Sequence, residues 1–144
     1  TGRPVAYGIK DYDIFYFGGA DLSWEAEDEV IRRAKALFAD LDAEIEVKNQ
    51  ARVHLWYEER FGLPYAPLKS ACEGIDRFLA LACKVGLKPD EEGGFELYAP
   101  DGLADIAQML IRPNVTANFG AREYERKAAR WKAAWPELTV VPPA

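Results

Sequence analysis

The sequence predicts one α+β domain, residues 1–144, in which helices flank a mixed β-sheet. The first observation behind this prediction is a pair of strand-like segments, 11–17 and 43–49, separated by one long helical segment. The second is a hairpin pattern at residues 85–98, whose turn is rich in Pro, Asp and Gly. The third is that no repeat, low-complexity tract or linker interrupts a chain of single-domain size.

The first half of the chain is predicted to form a strand, a long helix and a second strand. Aromatic and β-branched residues over 11–17 favour a strand, which the turn at Gly18-Gly19 ends. Asp21-Leu22-Ser23 offers N-cap residues for a helix over 24–41, whose acidic first turns are expected to be solvated. Residues 43–49 alternate polar and apolar side chains, as a strand does. The core face of the helix repeats every three or four residues: Val30, Ala34, Leu37, Phe38 and Leu41.

The second half is predicted to contain shorter elements. Helices are expected at 50–61, 71–84, 103–110 and 121–134, and a hairpin is expected to pair 85–87 with 95–98. The last helix combines an apolar stripe with a basic ridge: Tyr124, Ala128, Trp131 and Trp135 form the stripe, and Arg122, Arg126 and Arg130 form the ridge. The ridge is interpreted either as a solvated face or as a surface that meets triphosphate or nucleic acid.

Composition narrows the function classes. A net charge of −6 argues against a general nucleic-acid binder without ruling out a local basic groove. Cys72 and Cys83 lie too far apart on one predicted helix for a disulfide, so both are expected to be reduced and buried. Reduced thiols, with no leader and no membrane-spanning segment in the sequence, predict a cytoplasmic protein that does not interact with membranes.

Two aspartates open the first strand. Asp11 and Asp13 are two residues apart, so their side chains point to the same face. Carboxylates at this spacing can converge on one Mg²⁺, which keeps coordination positions free for substrate phosphates. The pattern is also typical of a solvated strand entrance, and these residues alone do not decide between the two.

A third carboxylate is offered by the second strand, where Glu44, Glu46 and Lys48 share one face. A strand–helix–strand unit tends to bring its two strands side by side. A glutamate of this strand would then complete a metal site with the two aspartates. The alternative is an exposed polar face without a ligand.

The single histidine, His54, argues against two other kinds of site. Neither a His-rich metal centre nor a Ser-His-Asp triad can be built without partners that the sequence does not offer. His54 is therefore expected to be a structural or surface residue.

Three blocks of the sequence carry a family resemblance. They are Asp11–Phe17, Glu46–Glu58, and Ala99–Asp105 leading to Arg112–Asn114. Together they resemble the bacterial family of predicted nucleotidyltransferases, which is similar to the polymerase-β-like nucleotidyltransferase superfamily. The resemblance covers nearly the whole chain, and the Glu46–Glu58 block is its most specific part.

The resemblance implies an enzyme that transfers a nucleoside monophosphate from a nucleoside triphosphate to an unknown acceptor. Asp11 and Asp13 would hold Mg²⁺ on the triphosphate, and Glu46 would complete the site and help to deprotonate an attacking hydroxyl. Lys48 and Arg52, in the same block, are the candidate nucleotide-binding residues.

One departure from the superfamily pattern adds further expectations. The superfamily carries a small-residue turn on a helix upstream of its aspartates, whereas only ten residues precede Asp11 here. The chain is therefore expected to lack that first helix, either as an N-terminally truncated piece or as a member without it. An uncovered sheet face would favour a homodimer. A catalytically inactive binding or interaction module on the same fold is the alternative function.

Overall fold

The computed structural model describes residues 2–116 and 120–143, and it has the predicted α+β composition. Its Cα positions group into two compact units, Thr1–Ala71 and Cys72–Ala144. The single domain stays a prediction, and each unit is considered by itself below. Within the described ranges, no helix is both long and apolar enough to cross a membrane.

The first unit is built on a parallel strand pair joined by a helix. Strand β1 (Tyr12–Tyr16), helix α1 (Trp24–Leu37) and strand β2 (Ile45–Asn49) follow one another as predicted. The two strands pair directly and in parallel. One face of β2 presents Ile45 and Val47 to a groove that α1 also lines. By the register, the opposite face carries Glu46 and Lys48 of β2 together with Asp13 and Phe15 of β1.

Helix α1 begins where the sequence predicted. The Ser23 side chain accepts a hydrogen bond from the backbone N–H of Ala26, as an N-cap does. The helix ends earlier than the predicted residue 41. Leu37 is its last residue, and a turn follows. The acidic residues of its first turns are not all solvated as expected, since Glu27 is only 6% exposed.

The segment 50–61 contains two short helices where one was predicted. A 3₁₀ helix covers Gln50–Leu55 and helix α2 covers Tyr57–Phe61, with Trp56 between them. Gly62 ends α2 with a φ of 68°, and its N–H donates to the carbonyl oxygen of Glu58. Helices commonly end at a glycine in the left-handed conformation, as the sequence predicted for Gly62.

The prediction of one long helix over 71–84 is wrong. Helix α3 covers only Ala71–Asp76, and a 3₁₀ turn follows at Leu81–Cys83. The Asn114 side-chain amide donates to the carbonyl oxygens of Asp76 and Phe78, which are therefore held by a distant residue rather than by a continuing helix. Both cysteines are free thiols as expected, but Cys72 is exposed rather than buried and does not share a helix with Cys83.

The predicted hairpin is present. Strands β3 (Gly86–Pro89) and β4 (Phe95–Tyr98) pair in antiparallel fashion, with Leu87 opposite Leu97. The turn between them is held by Asp90, whose carboxylate accepts from the backbone N–H groups of Glu92 and Gly94.

The prediction of a helix over 103–110 is partly wrong, because the last residues of this segment are not helical. Helix α4 covers Ala104–Ala107, and Met109 then adopts a left-handed φ of 55°. Leu110–Ile111 forms strand β5, which pairs in parallel with strand β6 (Thr139–Val140). This long-range pairing, which local periodicity does not reveal, overrides the helical pattern.

The core of the second unit lies under helix α5. Helix α5 covers Ala121–Ala134, as predicted, and the core residues it contributes are Tyr124 and Ala128. The Tyr124 ring is fully buried, and its hydroxyl lies 2.7 Å from the carbonyl oxygen of Val141, to which it donates. Trp131 and Trp135 pack against the same cluster, so the predicted apolar stripe is confirmed.

Candidate active site

The register of β1 and β2 brings two carboxylates together. Asp13 lies directly opposite Glu46 in the parallel ladder. Adjacent strands are about 4.8 Å apart, and side chains of paired residues in a parallel ladder project from the same face. Both side chains are accessible, Asp13 with 47% and Glu46 with 38% of its surface exposed. An incoming ligand can therefore reach both oxygen donors.

Lys48 supplies the positive charge on this face. Its Nζ lies 2.8 Å from Oε2 of Glu46 and 3.9 Å from Oδ1 of Asp13. Lys48 follows Glu46 by two residues, so the strand itself sets the two side chains on one face. The ammonium thus reduces the repulsion between two carboxylates that neighbouring strands hold close together.

Asp11 stands apart from this group in its contacts. It precedes β1 and so lies outside the paired residues of the ladder. One of its carboxylate oxygens is 2.5 Å from Nζ of Lys10, and its side chain is 23% exposed.

The donor set at Asp13 and Glu46 fits a hard divalent cation. Carboxylate oxygens are the ligands that Mg²⁺ prefers, and Mg²⁺ is commonly held by only one or two carboxylates together with water and substrate phosphates. Among residues 2–116 and 120–143, no three His, Cys, Asp or Glu side chains are grouped closely enough to hold an ion. The structure thus brings Glu46 beside Asp13, but Asp11 does not join them in a three-residue cluster.

A buried network supports β2 from the α1 side. The Glu27 carboxylate accepts from the backbone N–H of Asn49 at 2.8 Å and forms an ion pair with the Arg52 guanidinium. Arg52 also donates to the carbonyl oxygen of Leu22 and lies 5.6 Å from the centre of the Trp24 ring. These contacts join both ends of the α1–β2 unit to the following 3₁₀ helix.

Asn49 connects the ends of the two parallel strands. Its side-chain oxygen accepts from the N–H groups of Gly18 and Ala51, and its amide donates to the carbonyl oxygen of Gly18. The side chain is almost completely buried; its hydrogen bond with Ala51 is buried, and its two hydrogen bonds with Gly18 are partly buried. A Cβ on Gly18 would approach Tyr16 to 3.1 Å, which explains the small residue there. Asn49 therefore fixes where β1 ends relative to β2.

The same network changes the titration of a neighbouring tyrosine. Burial, with the negative charge of Glu27, raises the pKa of Tyr16, and the positive charge of Arg52 opposes this shift. Tyr16 therefore remains protonated at neutral pH. It lies beside the three hydrogen bonds of the Asn49 side chain, which together are called the Asn49 clamp.

Comparison with known proteins identifies the family. A family profile described as Nucleotidyltransferase matches residues 1–140 of the chain. The chain belongs to this nucleotidyltransferase family. The match includes the strand pair with Asp13 and Glu46, and the resemblance inferred from the sequence is confirmed.

A solved structure supports the nucleotidyltransferase fold. An NMR structure described as revealing a CCA-adding enzyme head domain matches with a TM-score of 0.72 and 25% sequence identity. The match covers 92% of this chain and 68% of the other chain. No curated protein sequence matches the chain. The predicted fold class is confirmed by this likeness.

The third block of the family resemblance, Ala99–Asp105 with Arg112–Asn114, makes contacts that hold the structure together. The Arg112 guanidinium makes two hydrogen bonds, of 2.8 and 2.9 Å, to the carboxylate of Asp105. The Asp101 carboxylate lies 2.6 Å from Nζ of the buried Lys84. Asn114, also buried, holds the end of α3. Arg112, Asp101 and Asn114 are thus each engaged in contacts within the second unit.

The remaining candidates have contacts of other kinds. Arg126 of the predicted basic ridge is paired with Glu123, at 2.5 Å, on the exposed face of α5. His54 lies partly buried in the 3₁₀ helix, where its buried Nδ1 has no hydrogen-bond partner among the described residues of the chain. Arg52 has only 12% of its side chain exposed, and its role in nucleotide binding stays a prediction.

Sequence reasoning missed two residues that fix the site. The acidic composition of the first turns of α1 does not distinguish Glu27 from its solvated neighbours, and the strand pattern of residues 43–49 does not distinguish Asn49. The signal for Glu27 was its position on α1, three residues before Val30 at the start of the apolar face. For Asn49, the preceding turn-forming Gly18-Gly19 gave no indication of a partner 31 residues away.

Proposed function

We propose that this chain is a Mg²⁺-dependent nucleotidyltransferase that transfers a nucleoside monophosphate from a nucleoside triphosphate to an acceptor with a reactive hydroxyl. The observation that carries the proposal is the pairing of Asp13 with Glu46 on one accessible strand face of a nucleotidyltransferase family member. Family membership supports a nucleoside triphosphate as the substrate, and the exposed carboxylates supply the ligand chemistry that its bound Mg²⁺ requires.

Each polar residue of the strand face has a part in this proposal. Asp13 and Glu46 would hold Mg²⁺. Asp11, which the structure does not group with them, would contribute as a ligand only by leaving its ion pair with Lys10. When bound, the ion neutralises charge on the phosphates and favours departure of pyrophosphate. Glu46 would also accept the proton of the attacking hydroxyl, since a carboxylate oxygen within hydrogen-bond reach can act as a general base.

Two basic residues complete the proposed site. Lys48 lies on the same strand face, where its ammonium would contact a phosphate oxygen. Arg52 would support the strand end through Glu27 and Leu22, and nucleotide contact by Arg52 would require it to leave these partners.

Isothermal titration with Mg²⁺ and a non-hydrolysable ATP analogue tests the proposal. We expect the wild type to bind the analogue only with Mg²⁺, and Asp13→Ala to weaken this binding by about tenfold or more, because a metal ligand is lost. The matched control is Asp42→Ala, which removes an exposed carboxylate of the same unit outside the strand face. Circular dichroism verifies that both variants are folded.

Three results would contradict the proposal. Analogue binding that needs no metal would argue against the proposed ligand set. Equal affinities of the wild type and Asp13→Ala would show that the nucleotide binds at another surface. Absence of binding by the folded wild type would favour a binding module with another ligand.

A further inference from the structure

We propose that Lys48 is an exchangeable counter-ion: its ammonium pairs with Glu46 and Asp13 and moves to a nucleotide phosphate when a divalent metal binds. This inference rests on the proposed function, because it concerns the same carboxylates. It adds a competition between a side chain and the metal, which makes metal and nucleotide binding depend on each other.

The charges of the strand face lead to this inference. Asp13, Glu46 and Lys48 together carry a net charge of −1 at neutral pH. The Lys48 ammonium contacts Glu46 directly and is within ion-pair distance of Asp13. A divalent cation between these carboxylates would meet a like charge at short range, which is unfavourable. Metal binding by both carboxylates therefore requires Nζ to leave Oε2 of Glu46.

The environment of Lys48 permits this movement. Its side chain is 39% exposed, and the side chains that it contacts are similarly open to solvent. A lysine carries a compact charge on a stem with four rotatable bonds, so its ammonium can move without a change of the backbone. Bound triphosphate would provide a new anion close to the carboxylates that the ammonium has left.

The exchange predicts opposite effects of one substitution on two ligands. Lys48→Met removes the competing charge, so metal alone should bind about two- to fivefold more tightly, the range expected for one partly exposed ion pair. The same variant has no ammonium for the phosphate, so the non-hydrolysable ATP analogue with Mg²⁺ should bind more weakly. A general loss of structure would weaken both and could not produce this pattern.

The hairpin offers a matched control pair. Nζ of Lys88 lies 2.8 Å from Oε2 of Glu96, the same separation as between Lys48 and Glu46, but on strands β3 and β4. Lys88→Met removes the same chemical group from a strand ion pair of the second unit, in which none of the proposed ligands lies. It should change neither affinity. Lys48→Arg retains the positive charge and should keep the metal affinity close to that of the wild type.

The experiment counts bound Mn²⁺ by electron paramagnetic resonance in the absence of nucleotide, and measures the analogue with Mg²⁺ by calorimetry. The wild type, Lys48→Met, Lys48→Arg, Lys88→Met and Asp13→Ala are compared. The exchange is supported if Lys48→Met is the only variant that binds Mn²⁺ more tightly and the analogue more weakly than the wild type. If Asp13→Ala lowers Mn²⁺ affinity but Lys48→Met does not raise it, the exchange is wrong and the metal site stands. If Asp13→Ala leaves Mn²⁺ binding unchanged, the metal binds elsewhere and both proposals are wrong.

Discussion

Asn49 shows how one side chain can fix the relation of two strands. Its amide satisfies three backbone groups at the ends of β1 and β2. Asn49→Ala removes all three hydrogen bonds, each of which is worth about 1 kcal/mol. We expect the free energy of unfolding to fall by about 3 kcal/mol, measured by urea denaturation.

The control for Asn49 is the amide of Gln108, which lies on the surface. Gln108→Ala should change the free energy of unfolding by no more than about 0.5 kcal/mol. If Asn49→Ala were equally mild, the buried amide would not be needed to hold the strand ends together.

Tyr98 gives a pH-dependent prediction at the same scale. Its hydroxyl donates to a carboxylate oxygen of Asp76 at 2.8 Å, and this hydrogen bond, with burial and the charge of Asp76, raises the pKa of Tyr98 to about 12. The pKa is about 10 in the unfolded chain, so the folded state favours the protonated form. The stabilisation is fully present below about pH 10 and is lost as the pH rises towards 12.

The measurement compares the wild type with Tyr98→Phe, which has no group to ionise. The difference between their free energies of unfolding should shrink when the pH is raised from about 9 to about 11.5. Asp76→Asn serves as the second variant, since it keeps a hydrogen-bond acceptor but removes the charge, and it should lower the pKa of Tyr98. A difference that stays constant over this pH range would contradict the assigned cause.

At the scale of elements, the ion pair between Glu27 and Arg52 ties α1 to the segment after β2. Glu27 and Arg52 have 7% and 12% of their side chains exposed, so neither charge is well hydrated. Removal of one partner leaves the other charge buried, which typically costs about 3–5 kcal/mol. Glu27→Ala should lower the free energy of unfolding by about this amount.

The same helix provides the control for this prediction. Glu29 lies two residues further along α1 and is exposed. Glu29→Ala should change stability by less than about 0.5 kcal/mol, measured in the same denaturant series. Similar losses in both variants would point to helix propensity rather than to the buried pair.

The elements differ in how well local sequence predicts them. The strand β1 and the helices α1 and α5 have strong periodic patterns, and all three have the predicted type. The ends of α5 are as predicted, β1 is one residue shorter at each end, and α1 ends four residues earlier than predicted. The sequence around 77–84 and 108–111 also has helical spacing, but it forms other structure. In the first case Asn114 captures the backbone of Asp76 and Phe78, and in the second case β6 pairs with β5. Contacts between residues distant in the sequence decide these segments.

The same distinction holds for the candidate site. The strand–helix–strand pattern left open whether a glutamate of the second strand comes beside the aspartates, and the family resemblance indicated Glu46; the ladder places Glu46 opposite Asp13. The contact of Lys48 with both carboxylates depends on side-chain conformation, and the burial of Glu27 depends on packing. Neither follows from local spacing, so the structure was needed for both.

For the whole molecule, the division into two compact units predicts local effects of core substitutions. Ala128 is 3% exposed in the core of the second unit, so Ala128→Asp introduces a buried charge there. Hydrogen exchange measured by mass spectrometry should become faster in peptides from α5, β5 and β6. Peptides from β1 and β2 should keep their protection, since they belong to the other unit.

Ala129→Asp is the control, because its position on α5 is adjacent but exposed. It should leave exchange unchanged in both units. Equal acceleration of exchange in both units of Ala128→Asp would instead favour a single cooperative domain of residues 1–144.

The parallel ladder also limits where in the chain residues can be inserted or deleted. An in-frame insertion at 39–43, between α1 and β2, leaves the hydrogen bonds of the ladder and the Asn49 clamp intact, and each doubling of loop length costs only about 0.6 kcal/mol. A single codon inserted between Glu46 and Asn49 has another effect, because the clamp holds one end of the strand. It turns the Glu46 carboxylate to the opposite face, away from Asp13. Length variants among related genes should therefore accumulate in the loop and be eliminated from the strand that follows it.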